Sequence, residues 1–367
     1  MTSSNDKPLV TFTICAYNQE QFIREAVDGA FAQTYSPLEI ILSDDCSKDR
    51  TFEIMREMAE SYRGQHQVIL NRNPINLGLG GHCNRLVELA HGELLVGAAG
   101  DDICFPNRVE LIHQAWEHSG RRAMGIQSGW IDIDEMGNII GNSVSQPQLE
   151  SIAFREEKPA PEDYVRTLQP EIIGAAFSVH PLIYRVFGPL PSTLIHEDNV
   201  TALRAICLGS LMFVKTPLIK RRFHGNNIFS RHHEMVTTWD TVKQQEDRFI
   251  RDAKSKGGMY DAFLADMQLA KEKNLISEDQ WIRLKQTAVH HRRLLDYQVQ
   301  YGTANTARKL QILYSLRRAH GNDALVKWML LRLIPTPLFR SMKVVGNSMR
   351  LALGNIFRTL TSGSQTR

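Results

Sequence analysis

The chain has 367 residues, 43% hydrophobic and 23% charged, with a formal net charge of +3. That composition excludes disordered and collagen-like chains and leaves room for one large domain or two smaller ones. No apolar run reaches the roughly 18 residues of a membrane-spanning helix, and the polar start from Met1 to Lys7 lacks the apolar core of a signal peptide. Five cysteines (Cys15, Cys46, Cys83, Cys104 and Cys207) with no C-x-x-C pair argue against a disulfide framework or a zinc site, so a reducing, cytoplasmic compartment is expected.

Strand-like and helix-like patterns alternate through the first third. Val10–Ile14 is β-rich, and residues 21–33 carry Phe22, Ile23, Ala26, Val27, Ala30 and Phe31 on one helical face. Leu38–Leu42 predicts a second strand. Asp49 is a candidate N-cap for a helix striped by Phe52, Met55, Ala59 and Tyr62. Gln67–Leu70 and Leu94–Ala99 predict two more strands, separated by a helix through Cys83, Leu86, Val87 and Ala90. A helix through Val109, Ile112 and Trp116 and a strand over Gly125–Ile131 follow. Such alternation predicts an α/β fold with a mostly parallel sheet flanked by helices, its strand ends gathered at one edge. Prolines break the pattern over residues 141–170, and an ordered stretch from Glu171 to Arg231 comes next. After Trp239 the pattern is helical, with a Ser277-x-x-Gln280 capping box. The expected limits are an α/β domain over 8–231, a helical region over 232–322 and a basic tail over 323–367.

Acidic residues stand where buried strands end. Ser43-Asp44-Asp45 closes the second strand, and Asp101-Asp102 follows the run Glu93–Gly100. Open α/β sheets bind ligands outside the carboxyl ends of their strands. Paired carboxylates there repel unless they share a cation, and Mg²⁺ or Mn²⁺ bridges carboxylates to phosphates. Asp45 could accept a hydrogen bond from an imide N–H of a base, or the Ser47–Asp49 stretch could merely cap a helix. The glycine stretch Gly78-Leu79-Gly80-Gly81 lacks both phosphate-loop endings, so a tight turn into a helix competes with close approach to a ligand. Glu197-Asp198 could present a general base or only open a helix. His224 could ligate a metal or a phosphate, with Arg221 and Arg222 facing a diphosphate, or be an ordinary surface or core residue.

Taken in order, Val10–Asn18, Ser43–Thr51, Asn76-Leu77-Gly78, Gly100-Asp101-Asp102 before Pro106 and Arg108, Glu197-Asp198 and Arg222–Asn227 resemble the large inverting glycosyltransferase group called family 2, which has a GT-A fold. The resemblance covers about residues 8–231. It implies that Ala16, Tyr17, Asn18, Asp45, Asn76, Arg85, Asp101 and Arg222 line the nucleotide-sugar site, with Tyr17 near the base and Asp45 on its N3–H. It implies that Asp102 and His224 hold Mn²⁺ or Mg²⁺, that Asp198 is the catalytic base and that Glu197 is its neighbour. The reaction implied is transfer of a sugar, UDP-linked by expectation, to a glycan or lipid-linked glycan acceptor in surface polysaccharide assembly.

Cys15 stands where a proline is common in the family, and the Q-x-x-R-W motif of processive synthases is absent from the sequence, so a non-processive transfer is expected. Residues 324–367 contain no Asp or Glu but seven Lys and Arg, namely Lys327, Arg332, Arg340, Lys343, Arg350, Arg358 and Arg367. This tail fits an anionic membrane surface on the inner, cytoplasmic side. It fits equally a helix packed on its own domain or on a second subunit of a homo-oligomer. Nucleic acid is not expected as a partner, because no aromatic–basic interleaving accompanies the charge. A sugar nucleotidyltransferase and a non-catalytic glycan-binding scaffold are the competing readings.

Overall fold

A computed structural model describes residues 7–142, 154–225, 227, 239–305 and 307–312. The basic tail lies outside these residues. The first half alternates as its apolar periodicity predicts: β1 (Val10–Ala16), α1 (Ile23–Phe31), β2 (Leu38–Asp44), α2 (Thr51–Ser61), β3 (Gln67–Arg72), α3 (Gly78–Leu89) and β4 (Leu94–Ala99). A two-residue β5 (Ile103–Cys104), α4 (Arg108–His118), β6 (Ala123–Ile133) and β7 (Ile139–Asn142) follow. Beyond them come β8 (Phe154–Glu157), α5 (Pro161–Thr167), a 3-10 turn (Gly174–Ala176), β9 (Phe177–Val179), α6 (Leu182–Phe187), α7 (Glu197–Leu208) and β10 (Ser210–Arg222). Two long helices, α8 (Trp239–Glu272) and α9 (Glu278–Thr303), follow.

The main path of the sheet runs β3-β2-β1-β4-β9-β6-β10-β5, with β7 on β6 and β8 on β10. Strands β1 to β4 are parallel, as are β6 and β10. The short β9 is antiparallel to both β4 and β6, and β5, β7 and β8 are antiparallel to their partners. The α/β class holds, but the second half of the sheet is mixed. The chain reverses direction in hairpins and short returns there, without a crossover helix for every strand. Strand order switches between β1 and β4, which opens a crevice at their carboxyl ends.

Burial explains the alternation. Val10, Phe12 and Ile14 turn to one face of the sheet and pack with Ile23, Ala26, Val27, Val109, Ile112 and Trp116 from α1 and α4. Compact units can be drawn around residues 1–230 with 258–289, and around 231–257 with 290–367. Within the first unit, Arg204 of α7 donates through Nε and Nη2 to both carboxylate oxygens of Asp266 in α8, at 2.6 and 3.0 Å. Its Nη1 donates to the Gly188 carbonyl. The capping box at Ser277 forms reciprocally: Ser277 N–H donates to Gln280 Oε1 at 2.9 Å, and Gln280 N–H to Ser277 Oγ at 3.2 Å. Among the described residues no helix is long and apolar enough to cross a membrane.

The Arg204–Asp266 pair is buried on both sides, at 2% and 6% exposure. Removing one partner strands the other charge, so Asp266→Ala should destabilise the unit by about 3–5 kcal/mol in urea titrations.

Candidate active site

The strand ends are built from hydrogen bonds before any ligand is considered. Asp45 N–H donates to the Ala16 carbonyl, and the Gly100 N–H to the Cys15 carbonyl, so the chain leaving β2 and the chain leaving β4 both lie against the end of β1. Asn18 takes a left-handed conformation, φ 52°. Its N–H donates to Ser47 Oγ at 2.8 Å, and its Oδ1 accepts from Lys48 N–H at 2.9 Å. Asp49 Oδ1 accepts from Thr51 N–H, although Arg50 holds the N-cap position itself. Ala16 is buried, whereas the Tyr17 ring is 42% exposed at the rim.

Asp45 is buried and holds the loop after β3. Its Oδ1 accepts from Asn73 Nδ2 at 2.8 Å and Leu77 N–H at 2.9 Å, and its Oδ2 from Gly78 N–H at 3.1 Å. A carboxylate has about four acceptor sites, so one remains for a ligand. Asn76 Oδ1 shares the Gly78 N–H at 3.0 Å. The glycine stretch is a turn into α3. Gly78 has φ +71°, and a Cβ on Gly80 would sit 2.2 Å from the Pro191 carbonyl oxygen. The close approach is to the 191–194 segment of the protein. Arg85 pairs with Glu88 at 3.0 Å on the exposed side of α3.

The turn after β4 is tied to the end of β10. Arg222 N–H donates to Asp102 Oδ1 at 2.8 Å, and its guanidinium donates to the Asp101 carbonyl, the Glu135 carbonyl and Glu25 Oε2 at 3.1, 2.9 and 3.0 Å. The sequence reading has Arg222 facing a diphosphate; here each of its three nitrogens is taken by the protein. Arg221 pairs with Asp132. His224 Nε2 lies 3.0 Å from Asp101 Oδ2, and the Phe22 ring packs on the imidazole at 4.7 Å. The sequence reading has Asp102 and His224 hold a metal; here the imidazole bonds the neighbouring Asp101. Asn227 Nδ2 also donates to Asp101 Oδ2, at 3.3 Å. Among the described residues no three His, Cys, Asp or Glu side chains converge as a metal cage.

Glu197 and Asp198 open α7 and line a cavity of about 100 Å³ together with Thr13, Gly97, Gly174 and Tyr184. Asp198 Oδ1 accepts from the N–H and Nδ2 of Asn199, at 2.7 and 2.9 Å, and Oδ2 from Gly174 N–H at 3.2 Å. Burial, and then the charge of Asp198, push the Glu197 carboxyl well up. Burial pushes Asp198 up too, but its amide donors oppose the shift. Burial and then Asp101 push Asp102 well up.

These carboxylates share one neighbourhood. After burial, the fields of Glu197, Asp45 and Asp101 raise the Cys15 thiol, and those of Glu197, Cys15, Asp198 and Asp45 raise Cys83. Both thiols are therefore neutral at neutral pH. Cys15 Sγ sits 3.1 Å from His82 Nδ1, and His82 Nε2 sits 2.7 Å from Ser43 Oγ. Asn71 Nδ2 donates to Ser43 Oγ and to Asn73 Oδ1 at 2.9 and 3.0 Å, which completes a hydrogen-bonded chain from Cys15 to Asp45. Asn73, His82 and Asn227, to which the sequence reading gives no role, bond Asp45, Ser43 and Asp101 of the candidate site.

Residues 11–148 match the family described as Glycosyl transferase family 2. The chain resembles family 2 glycosyltransferases. The matched stretch begins in β1 and ends before Glu197-Asp198 and β10. The Bacillus subtilis protein described as "Putative glycosyltransferase EpsE" is 30% identical over 133 residues, 36% of this chain and 47% of that protein. An uncharacterized glycosyltransferase of Rickettsia typhi is 24% identical over 341 residues, 89% of this chain and 97% of that protein. The chain spans about half the length of the first curated relatives, 47% and 48%. A solved structure of TarS 1-349 from S. aureus in complex with UDP-GlcNAc is 14% identical, with a TM-score of 0.49 over 85% of this chain and 88% of that one.

A carboxyl raised on folding binds its proton more tightly folded than unfolded, so stability falls as pH rises from the ordinary carboxylate range through the raised value. Glu197→Gln should remove part of that fall. In thermal melts at pH 5.5 and 8, the variant should lose less stability between the two than the parent.

Proposed function

We propose that the chain is an inverting, metal-dependent, non-processive glycosyltransferase. It moves a sugar from a nucleotide diphosphate donor, UDP-linked in this reading, to a glycan or lipid-linked glycan acceptor in surface polysaccharide assembly. The observation that carries the reading is Asp101 beside His224, held by Arg222 at the edge where Asp45 and Glu197 also act on Cys15. The exposed Tyr17 ring would stack on the base and the free acceptor site of Asp45 would take its N3–H. Ala16, Asn18 and Asn76 shape the base slot, and Arg85 would swing to the donor from its surface pair.

One carboxylate oxygen and one imidazole nitrogen 3.0 Å apart suit Mn²⁺ or Mg²⁺ completed by phosphate and water oxygens. Asp101 and His224 would hold it, with Asp102 engaged in fixing the end of β10. When bound, the ion offsets the negative charge on the departing diphosphate. Asp198 has three amide donors that oppose the rise burial causes, while Glu197 is pushed well up beside it, so of the two the anion is favoured on Asp198. Asp198 would take the proton of an acceptor hydroxyl as that oxygen attacks the anomeric carbon opposite the leaving diphosphate. A single displacement inverts the anomeric centre. The basic tail supports a peripheral place on the cytoplasmic membrane face.

The test is release of nucleoside diphosphate from a panel of UDP-, dTDP- and GDP-sugars with Mn²⁺ and water as acceptor. Asp198→Asn should leave UDP affinity intact and cut turnover by about 10²–10⁴-fold; unchanged turnover removes Asp198 as base. Asp101→Asn should abolish the Mn²⁺ dependence of UDP binding, measured by calorimetry, and Asp102→Asn should keep it. The reverse pattern would return the metal to Asp102.

A further inference from the structure

Arg108 is fully buried at the first residue of α4. Among the described residues no carboxylate bonds it directly. Its Nη1 donates to Cys104 Sγ at 2.9 Å, its Nη2 to the carbonyls of Gly97 at 2.7 Å and Ala175 at 2.8 Å, and its Nε has no hydrogen-bond partner. Its charge acts through space on Asp102, where it opposes the rise caused by burial and Asp101.

Burying a guanidinium without a carboxylate is costly, and a well-packed apolar side chain is commonly the more stable choice. The position of the fork supplies a reason for it. Strands β4 and β9 pair only at Leu95–Val179 and Val96–Ser178. Past that point the ladder pairing ends, and Arg108 Nη2 links the two backbones by donating to a carbonyl of each. On one side Gly97 leads within a few residues to Asp101-Asp102. On the other, Ala175 adjoins Gly174, whose N–H donates to Asp198 Oδ2. A planar guanidinium presents donors in a rigid fork, which one flexible ammonium does not reproduce.

We propose that Arg108 is a positioning residue that sets the base, Asp198, against the carboxylates of the β4 turn. The inference rests on the glycosyltransferase reading and adds to it a residue that touches neither donor nor acceptor. It predicts that Arg108 acts through Asp198 and not on donor affinity.

The experiment is a double-mutant cycle of Arg108→Met and Asp198→Asn. The assay uses the nucleotide sugar with the largest Mn²⁺-dependent hydrolysis, and UDP affinity is measured alongside. Arg108→Met should cut kcat by about 100-fold, the scale of a 1 Å misplacement, with UDP Kd unchanged. In the Asp198→Asn background it should cut kcat no further, because groups that act as a unit are non-additive. Arg108→Lys should recover part of the loss. Multiplying losses, or parallel loss of UDP affinity, would overturn the proposal in favour of a general packing role. If Arg108→Met does not fold, Arg108→Lys carries the same cycle. Hydrogen exchange separates the two levels: in either variant the amides of 97–99 and 174–176 should exchange faster together, while the turn at 101–102 stays held by Arg222. Faster exchange on one side only would overturn the clamp. A parent enzyme that hydrolyses no nucleotide sugar would sink the glycosyltransferase reading, and with it the catalytic role, even if the two segments loosen together.

Discussion

Strand β10 is separated from β4 by β9 and β6 in the sheet, yet Arg222 at its end reaches the turn after β4. One residue binds Asp102 through its backbone and the Asp101 carbonyl through its side chain, and His224 two positions on meets Asp101. The guanidinium also lies 4.9 Å from the Phe22 ring centroid, and that ring packs on His224. If this tie broke, Asn227, which donates to Asp101 and accepts from the His224 N–H, would be left as the link between the imidazole and the carboxylate. A buried charge is costly unless it is hydrogen-bonded, and the Arg222 guanidinium is met by three oxygens, from Asp101, Glu135 and Glu25, while its backbone N–H bonds Asp102.

The crevice concentrates negative charge that the protein only partly offsets. Asp102 and Glu197 are driven toward their neutral forms, and two nearby thiols are driven the same way. A cation that arrives with a diphosphate would relieve the field of Asp101, while the phosphates would satisfy the cation. This supports a donor held through a metal. It also gives the two arginines separate work. Arg222 joins the end of β10 to the β4 turn, and Arg108 joins that strand to the turn beneath Asp198.

Much of the frame was legible because apolar periodicity is a local signal. Val10–Ile14, Leu38–Leu42 and Leu94–Ala99 all lie within strands, and the Ser277-x-x-Gln280 box forms as a box. Acidic pairs at strand ends could be read as a crevice because the parallel order puts those ends on one edge. The antiparallel β9 was not legible: three residues carry too little pattern, and their pairing depends on β4 and β6 far away in the chain. Arg222 read as a phosphate ligand because composition cannot show that its partners are two main-chain carbonyls and Glu25. The coupling of His224 to Asp101 rather than Asp102 depends on which way a two-residue turn presents its side chains, and no spacing encodes that. Arg108 was visible only as part of a resemblance.

Paramagnetic relaxation by Mn²⁺ in the presence of UDP reads the crevice most directly. Amide signals of residues 100–103 and 222–225 should broaden in a UDP-dependent way, while those of Glu278–Lys285 stay sharp. No UDP-dependent broadening, or broadening centred away from Asp101 and His224, would contradict a metal-held nucleotide at this edge.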